Sequence, residues 1–405
     1  MAHSQLVASF VLVVLFCGAS SASSHGKGPR ALLQSVCPSP GSPNPCYNAD
    51  GSKYICCAGS CPSIPGQDPY CAGGPPGLSP EAKLEALGIN AVNRNGPYIG
   101  IVVPNPFEIV SLLTSSTFTE TQEISVNARI FHVGSIDGKK VVVVQCGLTH
   151  VNAALTTQLL IDYFYVDKIL HYGIAGGADE SSNLGDVSIA SEWATWGLWS
   201  WQRDGLTPDD PLPLEAFGDY TREIGRLAFG NYSATGPMTP NSLNSVWLQR
   251  QELFKLPDAE TRVQTLFFPA DAGLLSIAGS LANLQLDDCS NMTARTGCLS
   301  KQPKIVIGAR GVDAEIFVDN AAIRDFIGAT LGAPGKPVLT IDMESSAVAM
   351  VATSNGIPFI IFRSVSDLAG GGAQENEAGN FFGLASGNAY KVLTALIAGI
   401  SGYDA

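Results

Sequence analysis

The sequence predicts an α/β domain with a largely parallel central sheet, because apolar strand patterns alternate with helical patterns along the chain. Apolar side chains recur at helical spacing from Ala347 to Val351, and a continuous apolar run follows from Phe359 to Phe362. A strand that is apolar at every position is typical of a parallel sheet with both faces covered. Tyr98–Val103 and Lys140–Gln145 are similar strands, and each precedes a segment that can form a helix.

Further elements of the predicted sheet follow in chain order. Pro104-Asn105-Pro106 ends the first strand and can begin a helix, since proline is tolerated in a first turn. Lys168–Tyr172 is another strand, and it runs into a glycine-rich turn, Gly173–Gly177, where the backbone can approach a ligand closely. Ile305–Gly308 restarts the sheet after a long intervening region. Cys146, at the end of the second strand, is expected to be an unpaired core residue.

Composition limits the classes of function. The chain has 405 residues, of which 45% are hydrophobic, and this suits a globular protein with a substantial core rather than a disordered one. It has 36 acidic residues against 23 Lys and Arg, which gives a net charge of −13. A chain this acidic, with no basic run, is a poor candidate for binding nucleic acid or an anionic membrane, whereas a neutral small molecule is compatible with it.

The first 22 residues have the features of a secretory signal peptide. Leu6–Cys17 is an apolar run too short to span a bilayer, and small residues follow it, with a cleavage point predicted after Ala22. The region before the run carries His3 but no Lys or Arg, which departs from the usual pattern. The alternative is a buried N-terminal strand. We therefore predict a secreted protein, extracellular or vacuolar, with no membrane attachment after removal of the signal.

Residues 37–71 form a predicted cysteine-rich module. The residues between its six cysteines are mainly Pro, Gly, Ser and Asn, which cannot build a core, so disulfides are expected to hold the segment together. These cysteines are Cys37, Cys46, Cys56, Cys57, Cys61 and Cys71. Six cysteines allow fifteen pairings, and the sequence does not choose among them. Zinc is the alternative, which the lack of histidine among these residues disfavours. Residues 72–95 are predicted to be a linker and 96–405 the main domain.

Three carboxylates lie near the ends of predicted strands. Glu344 falls in the first turn of one helix, Asp367 comes just past an apolar strand, and Glu108 falls in the first turn after the first strand. In open α/β sheets, ligands bind beyond the carboxyl ends of the strands, where Arg363 and Ser366 are also expected. Each carboxylate alone has a structural interpretation, since acidic side chains complement helix dipoles and cap loops.

These residues together carry a resemblance to a known family. DMES before a helix, IPF at the start of a strand and RSVSD at its end closely resemble the signature of the nucleoside phosphorylase and nucleosidase superfamily. Members of that superfamily cleave the N-glycosidic bond of nucleosides. The resemblance extends from about Tyr98 to the C-terminus, with an insertion at about 193–303. It implies a three-layer α/β/α domain with a mixed, largely parallel central sheet.

The resemblance also implies roles for individual residues. Asp367 would act as the general acid toward the purine N7, and Glu108, helped by Arg363, would hold and activate the attacking water. Glu344 would accept hydrogen bonds from the ribose hydroxyls, and its charge would favour an oxocarbenium-like transition state. Four more residues are expected at the substrate: Met343 on the sugar face, Phe317 stacked on the base, Ser366 and Gly173. Neither a cofactor nor a metal is expected.

Three positions distinguish hydrolysis from phosphorolysis. Phosphorylases of this superfamily hold phosphate with an arginine where this chain has Glu108, and with an arginine and a serine where it has His171 and Ile174. The resemblance therefore predicts hydrolytic cleavage of a purine nucleoside, a small-molecule substrate. The alternatives are a storage or defence protein of the same fold with little activity, and a phosphate-dependent phosphorylase. Members are often dimers or larger, so a homo-oligomer is a further expectation.

The predicted insertion has features of a secreted surface region. Asn231 and Asn291 each begin an Asn-X-Ser/Thr glycosylation sequon. The motifs HYGIAGG and WGLWSWQR, together with the pair Cys289 and Cys298, resemble the plant bark-storage and vegetative-storage branch of the superfamily. Those two cysteines flank a sequon and could close a short loop by a disulfide. The tryptophans of this region either line a pocket or fill a hydrophobic seam.

Overall fold

The computed structural model describes residues 45–47, 53–55, 84–85, 87–203, 206–227, 246–290, 297–371 and 378–405. The predicted signal peptide and the sequons at Asn231 and Asn291 lie outside these residues, so they remain predictions. Of the six cysteines in the predicted module, Cys46 is within the described residues and the other five are not.

The chain divides into two units, Met1–Cys71 and Ala72–Ala405. In the first unit the structure describes two short strands, β1 (Pro45–Tyr47) and β2 (Lys53–Ile55), which pair antiparallel. The second unit contains the main sheet and its helices.

The elements of the second unit follow one another in three groups. Before the predicted insertion they are α1 (Ile89–Asn93), β3 (Tyr98–Val103), α2 (Pro106–Leu113), β4 (Phe118–Val126), β5 (Arg129–Ile136), β6 (Lys139–Gln145), α3 (His150–Tyr163), β7 (Val166–Gly177) and β8 (Val187–Ile189). Next come β9 (Glu192–Thr195), β10 (Trp199–Trp201), a 3₁₀ turn (Glu215–Phe217), β11 (Arg226–Leu227), β12 (Val246–Leu248), β13 (Gln251–Lys255), β14 (Asp258–Thr265), β15 (Phe268–Pro269), α4 (Ala272–Gly279), β16 (Cys289–Ser290) and β17 (Gly297–Cys298). The last group is β18 (Ile305–Ile307), β19 (Arg310–Asp313), α5 (Ala321–Leu331), β20 (Val338–Asp342), α6 (Ser345–Ser354), β21 (Phe359–Leu368) and α7 (Ala378–Gly399).

The central sheet is mixed, as predicted. Its strand order is β15-β9-β19-β20-β7-β3-β6-β5-β4, while β21 pairs with β7 and β8, and β18 pairs with β8. At its centre β3, β6, β7 and β21 run parallel to one another. Antiparallel pairs occur on the β4–β5–β6 side and between β15 and β9. Because parallel strands end at the same edge of a sheet, the carboxyl ends of β3 and β21 share one edge.

Helices cover both faces of the sheet and give the predicted three layers. On one face α3 and α6 pack together, and Leu160 and Val348 are fully buried in one core with Phe131 of β5. On the other face α7 covers β7 and β21, and Val392 packs in a second core with Ile101 of β3. Burial on both faces explains why β3 has no charged residue and why β6 contains the apolar run Val141–Val144.

The C-terminal helix α7 is long and apolar enough to cross a membrane by length and composition alone. Its Ala389, Leu393 and Ile397 side chains are, however, fully buried within the core that includes β3. We therefore interpret α7 as a core helix, whose apolar composition follows from its contact with the sheet.

Three predicted boundaries are corrected by the structure. β7 continues through Gly177, so the residues predicted as a glycine-rich turn are strand, paired there with β20 and β21. β21 extends to Leu368, so Asp367 lies within the strand rather than past it. The end of the segment 72–95, predicted as a linker, forms α1, whose Ile89 is fully buried.

The first residues of the predicted insertion, from about 193, belong to the central sheet. β9 pairs with β19 in parallel register, so that Thr195 lies opposite Asp313. Beyond it, the described residues form two small sheets, β10-β12-β11 and β13-β14. Cys289 and Cys298 are joined by a disulfide across the β16–β17 pair.

Candidate active site

Buried polar side chains converge at the carboxyl ends of β3, β20 and β21. Charged groups are rarely this buried unless they are paired, so a cluster of them requires an explanation. Their exposed fractions lie between 1% and 6%. Glu108, Asp342 and Glu344 lie around Arg363, and Asp367 follows further along β21. The sequence singled out four of these residues, and Asp342 is the addition.

Glu108 is held at the start of α2 by a capping box. The Asn105 side chain accepts from the Glu108 backbone N–H at 3.2 Å, and Glu108 Oε2 accepts from the Asn105 backbone N–H at 3.0 Å. The other oxygen, Oε1, accepts from the Ile174 N–H at 2.7 Å. Burial raises the pKa of Glu108 to about 8, although the Arg363 guanidinium opposes that rise. The structural interpretation of Glu108 as a helix-start residue is thus correct but incomplete.

Arg363 lies at the centre of the cluster. Its Nε lies 3.0 Å from Asp342 Oδ2 and 3.1 Å from Ser345 Oγ. Nη2 lies 3.3 Å from Glu344 Oε2, and Nη1 lies 3.6 Å from Glu108 Oε1. Burial opposes the charge of Arg363, but the three carboxylates outweigh burial and raise its pKa. Because a guanidinium carries its donors in a fixed plane, this single cation orients three carboxylates at once.

His171 and Ile174 complete the surroundings of Arg363. His171 Nδ1 lies 2.8 Å from the Val102 carbonyl, which needs an N–H donor, so the other nitrogen, Nε2, is the acceptor. Arg363 Nη2 donates to that Nε2 at 2.5 Å. Burial, together with the Arg363 charge, lowers the pKa of His171 well below its ordinary value. The Ile174 carbonyl accepts from Arg363 Nη1 at 3.2 Å, so Ile174 acts through its backbone.

Glu344 stands at the N-cap of α6, one residue before the predicted first turn. Its Oε1 accepts from the Thr149 backbone N–H at 2.9 Å. Thr149 has a φ of 75°, which is costly for a β-branched residue and persists only where the surrounding structure imposes it. Burial raises the pKa of Glu344 to about 7, with Arg363 lowering it and Asp342 raising it. The unusual φ of Thr149 thus accompanies a hydrogen bond from its backbone N–H to Glu344, the carboxyl group whose pKa is about 7.

Two aspartates support the start of α6. Asp342 accepts from two backbone N–H groups at that helix start, at 2.9 and 3.0 Å. Asp313 accepts from both the backbone N–H and the hydroxyl of Ser346. His150 Nε2 lies 3.1 Å from Asp313; burial lowers the pKa of His150, but Asp313 and nearby carboxylates raise it to about 9. These contacts fix the helix end that carries Glu344.

Asp367 lies where β21 is irregular. The register of β21 against β7 shifts between Val365 and Asp367, which leaves Ser366 as an extra residue on the β21 side. Bulges of this kind redirect side chains and are common next to active sites. The Ser366 hydroxyl donates to Asp367 Oδ1 at 2.8 Å. Asp367 is therefore fixed on the edge of the sheet that also carries Glu108.

Gly173 lies so close to Glu108 and Arg363 that no larger residue fits there. A Cβ at this position would lie 2.3 Å from Glu108 Oε1 and 2.5 Å from Arg363 Nη1. We expect Gly173→Ala to lower the free energy of unfolding by roughly 1–3 kcal/mol, because both side chains must move. The matched control is Gly328→Ala in α5, where an added Cβ meets nothing within 4 Å. Urea unfolding measures both variants, and equal stability would contradict the close packing.

The residues predicted to contact the sugar and the base, Met343 and Phe317, are less buried than the residues around Arg363. Met343 is partly buried next to Glu344. Phe317 is 61% exposed and lines a cavity of about 420 Å³. The tryptophans of the predicted insertion were expected either to line a pocket or to fill a hydrophobic seam, and both occur. Trp193 is fully buried in the core, whereas three tryptophans line the cavity: Trp196, Trp199 and Trp201.

Among the described residues, two groups are close enough to share a metal ion. One is Glu120, Glu123 and His132 on β4 and β5, and the other contains the disulfide cysteines of β16 and β17. Neither group lies at the strand ends that carry Arg363 and its carboxylates, so we assign neither a role in this site.

The residues that sequence reasoning missed are mainly those that orient the cluster. Asp342 could have been predicted from the sequence, because it ends a buried strand and begins the DMES motif. The orienting contacts of Thr149 and Ile174 could not be predicted, because each is made by a backbone N–H that any residue type other than proline provides.

Comparison with known proteins assigns the chain to a family. Residues 98–398 match the family model of the phosphorylase superfamily. The chain belongs to this superfamily. The matched region extends from the start of β3 almost to the end of α7, so it contains every residue of the Arg363 cluster. The superfamily resemblance identified from the DMES, IPF and RSVSD motifs is thereby confirmed.

Bark storage proteins and nucleosidases are both similar to this chain. Bark storage protein A of Populus deltoides is 28% identical over 286 residues, which cover 69% of this chain and 80% of the relative. The 5′-methylthioadenosine/S-adenosylhomocysteine nucleosidase of Staphylococcus carnosus is 28% identical over 275 residues, covering 68% of this chain and 88% of the relative. Among solved structures, the S-adenosylhomocysteine nucleosidase of Streptococcus pyogenes matches 75% of this chain and 98% of its own, with TM-score 0.51 and 20% identity. The structural match shows the shared fold.

Proposed function

We propose that this chain hydrolyses the N-glycosidic bond of a purine nucleoside. The observation that carries the proposal is the engagement of Arg363, whose Nε, Nη1 and Nη2 all have acceptors within the cluster. A site for phosphate needs cations or several donors. The cation of this site, Arg363, is already bound by acceptors of the cluster, so it offers little to a phosphate. Water is therefore the better nucleophile for this site.

Glu108 is suited to act as the general base on that water. A base is most effective when its pKa lies near the working pH, and the pKa of Glu108 is about 8. The N–H groups of Asn105 and Ile174 hold its two oxygens in one orientation. In this proposal Arg363 orients Glu108, and its Nη1, 3.6 Å from Glu108 Oε1, lies on the side where the two residues would hold the water.

Asp367 and Glu344 have complementary parts in the proposed reaction. Cleavage leaves the bonding electron pair on the base, where a proton from Asp367 at N7 neutralises it. Glu344 accepts from the ribose hydroxyls, and its charge stabilises the oxocarbenium-like sugar that water attacks. Carboxyl groups on opposite sides of a glycosidic bond, with water between, follow the logic of inverting glycoside hydrolysis. Phe317, Met343, Ser366 and Gly173 would lie along the substrate.

Similarity to relatives supports the class of reaction. The relative from Staphylococcus carnosus is a nucleosidase by name, and the match covers most of both chains. The purine as leaving group is supported by the roles that the superfamily resemblance gives to Asp367 and Phe317. A homo-oligomer remains a prediction.

A storage protein with little activity is the second candidate, favoured by the similarity to bark storage protein A. The carboxyl groups argue against it. Burial raises the pKa values of Glu108 and Glu344, so keeping either ionised in the folded protein costs stability. A storage role alone gives no reason to maintain that cost.

We also propose that the protein follows the secretory pathway. The disulfide between Cys289 and Cys298 supports this, because disulfides persist mainly in oxidising compartments. The predicted signal peptide at 1–22 and the two sequons are consistent with the same compartment.

Product analysis tests hydrolysis directly. We expect the full chain to convert a purine nucleoside such as adenosine to free base and free ribose, at a rate that added phosphate does not change. The control assay contains sulfate at the same ionic strength. A ribose 1-phosphate product that increases with phosphate would show phosphorolysis instead. No cleavage across a panel of nucleosides would favour the storage protein.

A further inference from the structure

The cavity beside Phe317 has, apart from Phe317 itself, no part in the reaction proposed above. Its volume of about 420 Å³ lies within the range of small-molecule sites. We call it the tryptophan pocket, after the apolar side chains that form most of its lining: Trp196, Trp199, Trp201, Ile316, Phe317 and Ile323. Sites of this composition bind apolar groups and use a few polar atoms for orientation.

The tryptophan pocket has a rigid floor and an exposed rim. Trp196 is 3% exposed and packs in a core with Val318 and Ala369. Trp199 meets the Trp196 ring edge-on, with ring centroids 6.4 Å apart. At the rim, Trp201 and Phe317 expose more than half of their surface. Concave clusters of exposed large apolar side chains are characteristic of binding sites rather than of ordinary surface.

The pocket floor is connected to the strand ends of the candidate active site. The Trp196 backbone N–H donates to the Asp313 carbonyl at 2.9 Å. Asp313 in turn holds Ser346 in the first turn of α6, next to Glu344. The floor and the proposed ribose-binding carboxylate are therefore linked through one buried aspartate.

A second connection runs to Asp367. Gly370, three residues further along, packs so closely on the pocket residue Asn320 that an added Cβ would lie 2.3 Å from the Asn320 carbonyl carbon. Arg324 also donates to the Ala369 carbonyl at 3.3 Å. The segment Ala369–Gly370, just after Asp367, thus packs against the residues that form this wall of the pocket.

We propose that the tryptophan pocket holds an uncharged apolar ring or branched chain carried by the base of the nucleoside that is cleaved. The preferred substrates are then purine nucleosides with such a substituent. This inference rests on the proposed hydrolysis and on the place of Phe317 at the base. An anionic substituent is disfavoured, because Asp319 also lines the pocket and the chain carries a net charge of −13.

The test compares adenosine with N6-benzyladenosine on the full chain. We expect kcat/KM for N6-benzyladenosine to exceed that for adenosine by about tenfold or more, the usual effect of filling an apolar pocket. Trp199→Ala should bring this ratio toward one. The control is Phe217→Ala, which removes a side chain that is 78% exposed outside the pocket and should leave the ratio unchanged. Trp201→Ala, at the exposed rim, serves if Trp199→Ala does not fold.

Tryptophan fluorescence separates this inference from the proposed function. Three of the five tryptophans line the pocket, so N6-benzyladenosine should change the emission saturably in wild type and far less in Trp199→Ala. A saturable change without cleavage of either nucleoside would overturn hydrolysis and support the pocket assignment. Equal kcat/KM values with no fluorescence change would overturn the pocket assignment and leave hydrolysis intact.

Discussion

Replacing Asp367 by asparagine is expected to lower the turnover of adenosine roughly 10²–10⁴-fold, the usual effect of removing a general acid. Asparagine keeps the shape of the side chain and an Oδ1 acceptor for the Ser366 hydroxyl. It carries no proton that it can transfer to the departing base. We therefore expect a loss of kcat with little change in the free energy of unfolding. Steady-state kinetics together with urea unfolding measure the two effects separately.

The control for this variant is Asp404→Asn. Asp404 pairs with Lys139 at the surface, and such pairs contribute little to stability. Turnover of Asp404→Asn should equal that of wild type. If Asp367→Asn also stays within a few-fold of wild type, Asp367 has no part in proton transfer, and another group must protonate the base.

The sequence predicted the fold best where hydrophobic burial alone decides the structure. Tyr98–Val103 is observed with the predicted ends, because it is buried on both faces and proline stops it. β21 was predicted only as far as Phe362. After Phe362 the apolar run is broken by Arg363, Ser366 and Asp367, yet the backbone still pairs with β7 as far as Leu368. A strand prediction based on apolar runs therefore ends too early where polar residues of the candidate site begin.

The candidate site was predicted less completely, for a different reason. Glu108, Glu344 and Asp367 were found because carboxylates at strand ends match both a general rule and a family motif. The strained backbone of Thr149 depends on contacts far apart in the chain, so no local pattern reveals it. The acceptor role of His171 depends in the same way on the distant Val102 carbonyl.

Glu108→Gln is expected to lower the turnover of adenosine by roughly 10²–10⁴-fold, because glutamine cannot accept a proton from water. Glu215→Gln is the matched control, since Glu215 also accepts from a backbone N–H three residues earlier, that of Leu212 at 2.9 Å. Glu215 lies outside the Arg363 cluster, so its variant should retain full turnover. A Glu108→Gln enzyme within tenfold of wild type would exclude Glu108 as the base.

The pH dependence of the wild-type enzyme provides a further measurement of the same role. Glu108 must be ionised to act as a base, so the rise of kcat/KM that Glu108 causes, about tenfold per pH unit, should end near pH 8. Glu344, with a pKa of about 7, steepens this rise if its charge is also needed. Because the two groups interact through Arg363, the measured pKa values belong to the pair. In Glu108→Gln the part of the rise near pH 8 should disappear.

Stability should change with pH in the opposite direction, which tests the burial of Glu108 without any substrate. Its pKa is raised from 4.5 to about 8 by folding, so its contribution to stability is fully present below about pH 4.5 and is lost as pH rises through 8. Each pKa unit corresponds to about 1.4 kcal/mol, so the loss amounts to a few kcal/mol. Glu108→Gln should therefore lose less thermal stability than wild type between pH 6 and pH 9. Parallel melting-temperature curves for the two proteins would show that Glu108 already ionises at an ordinary pKa, and its proposed tuning as a base would then fail.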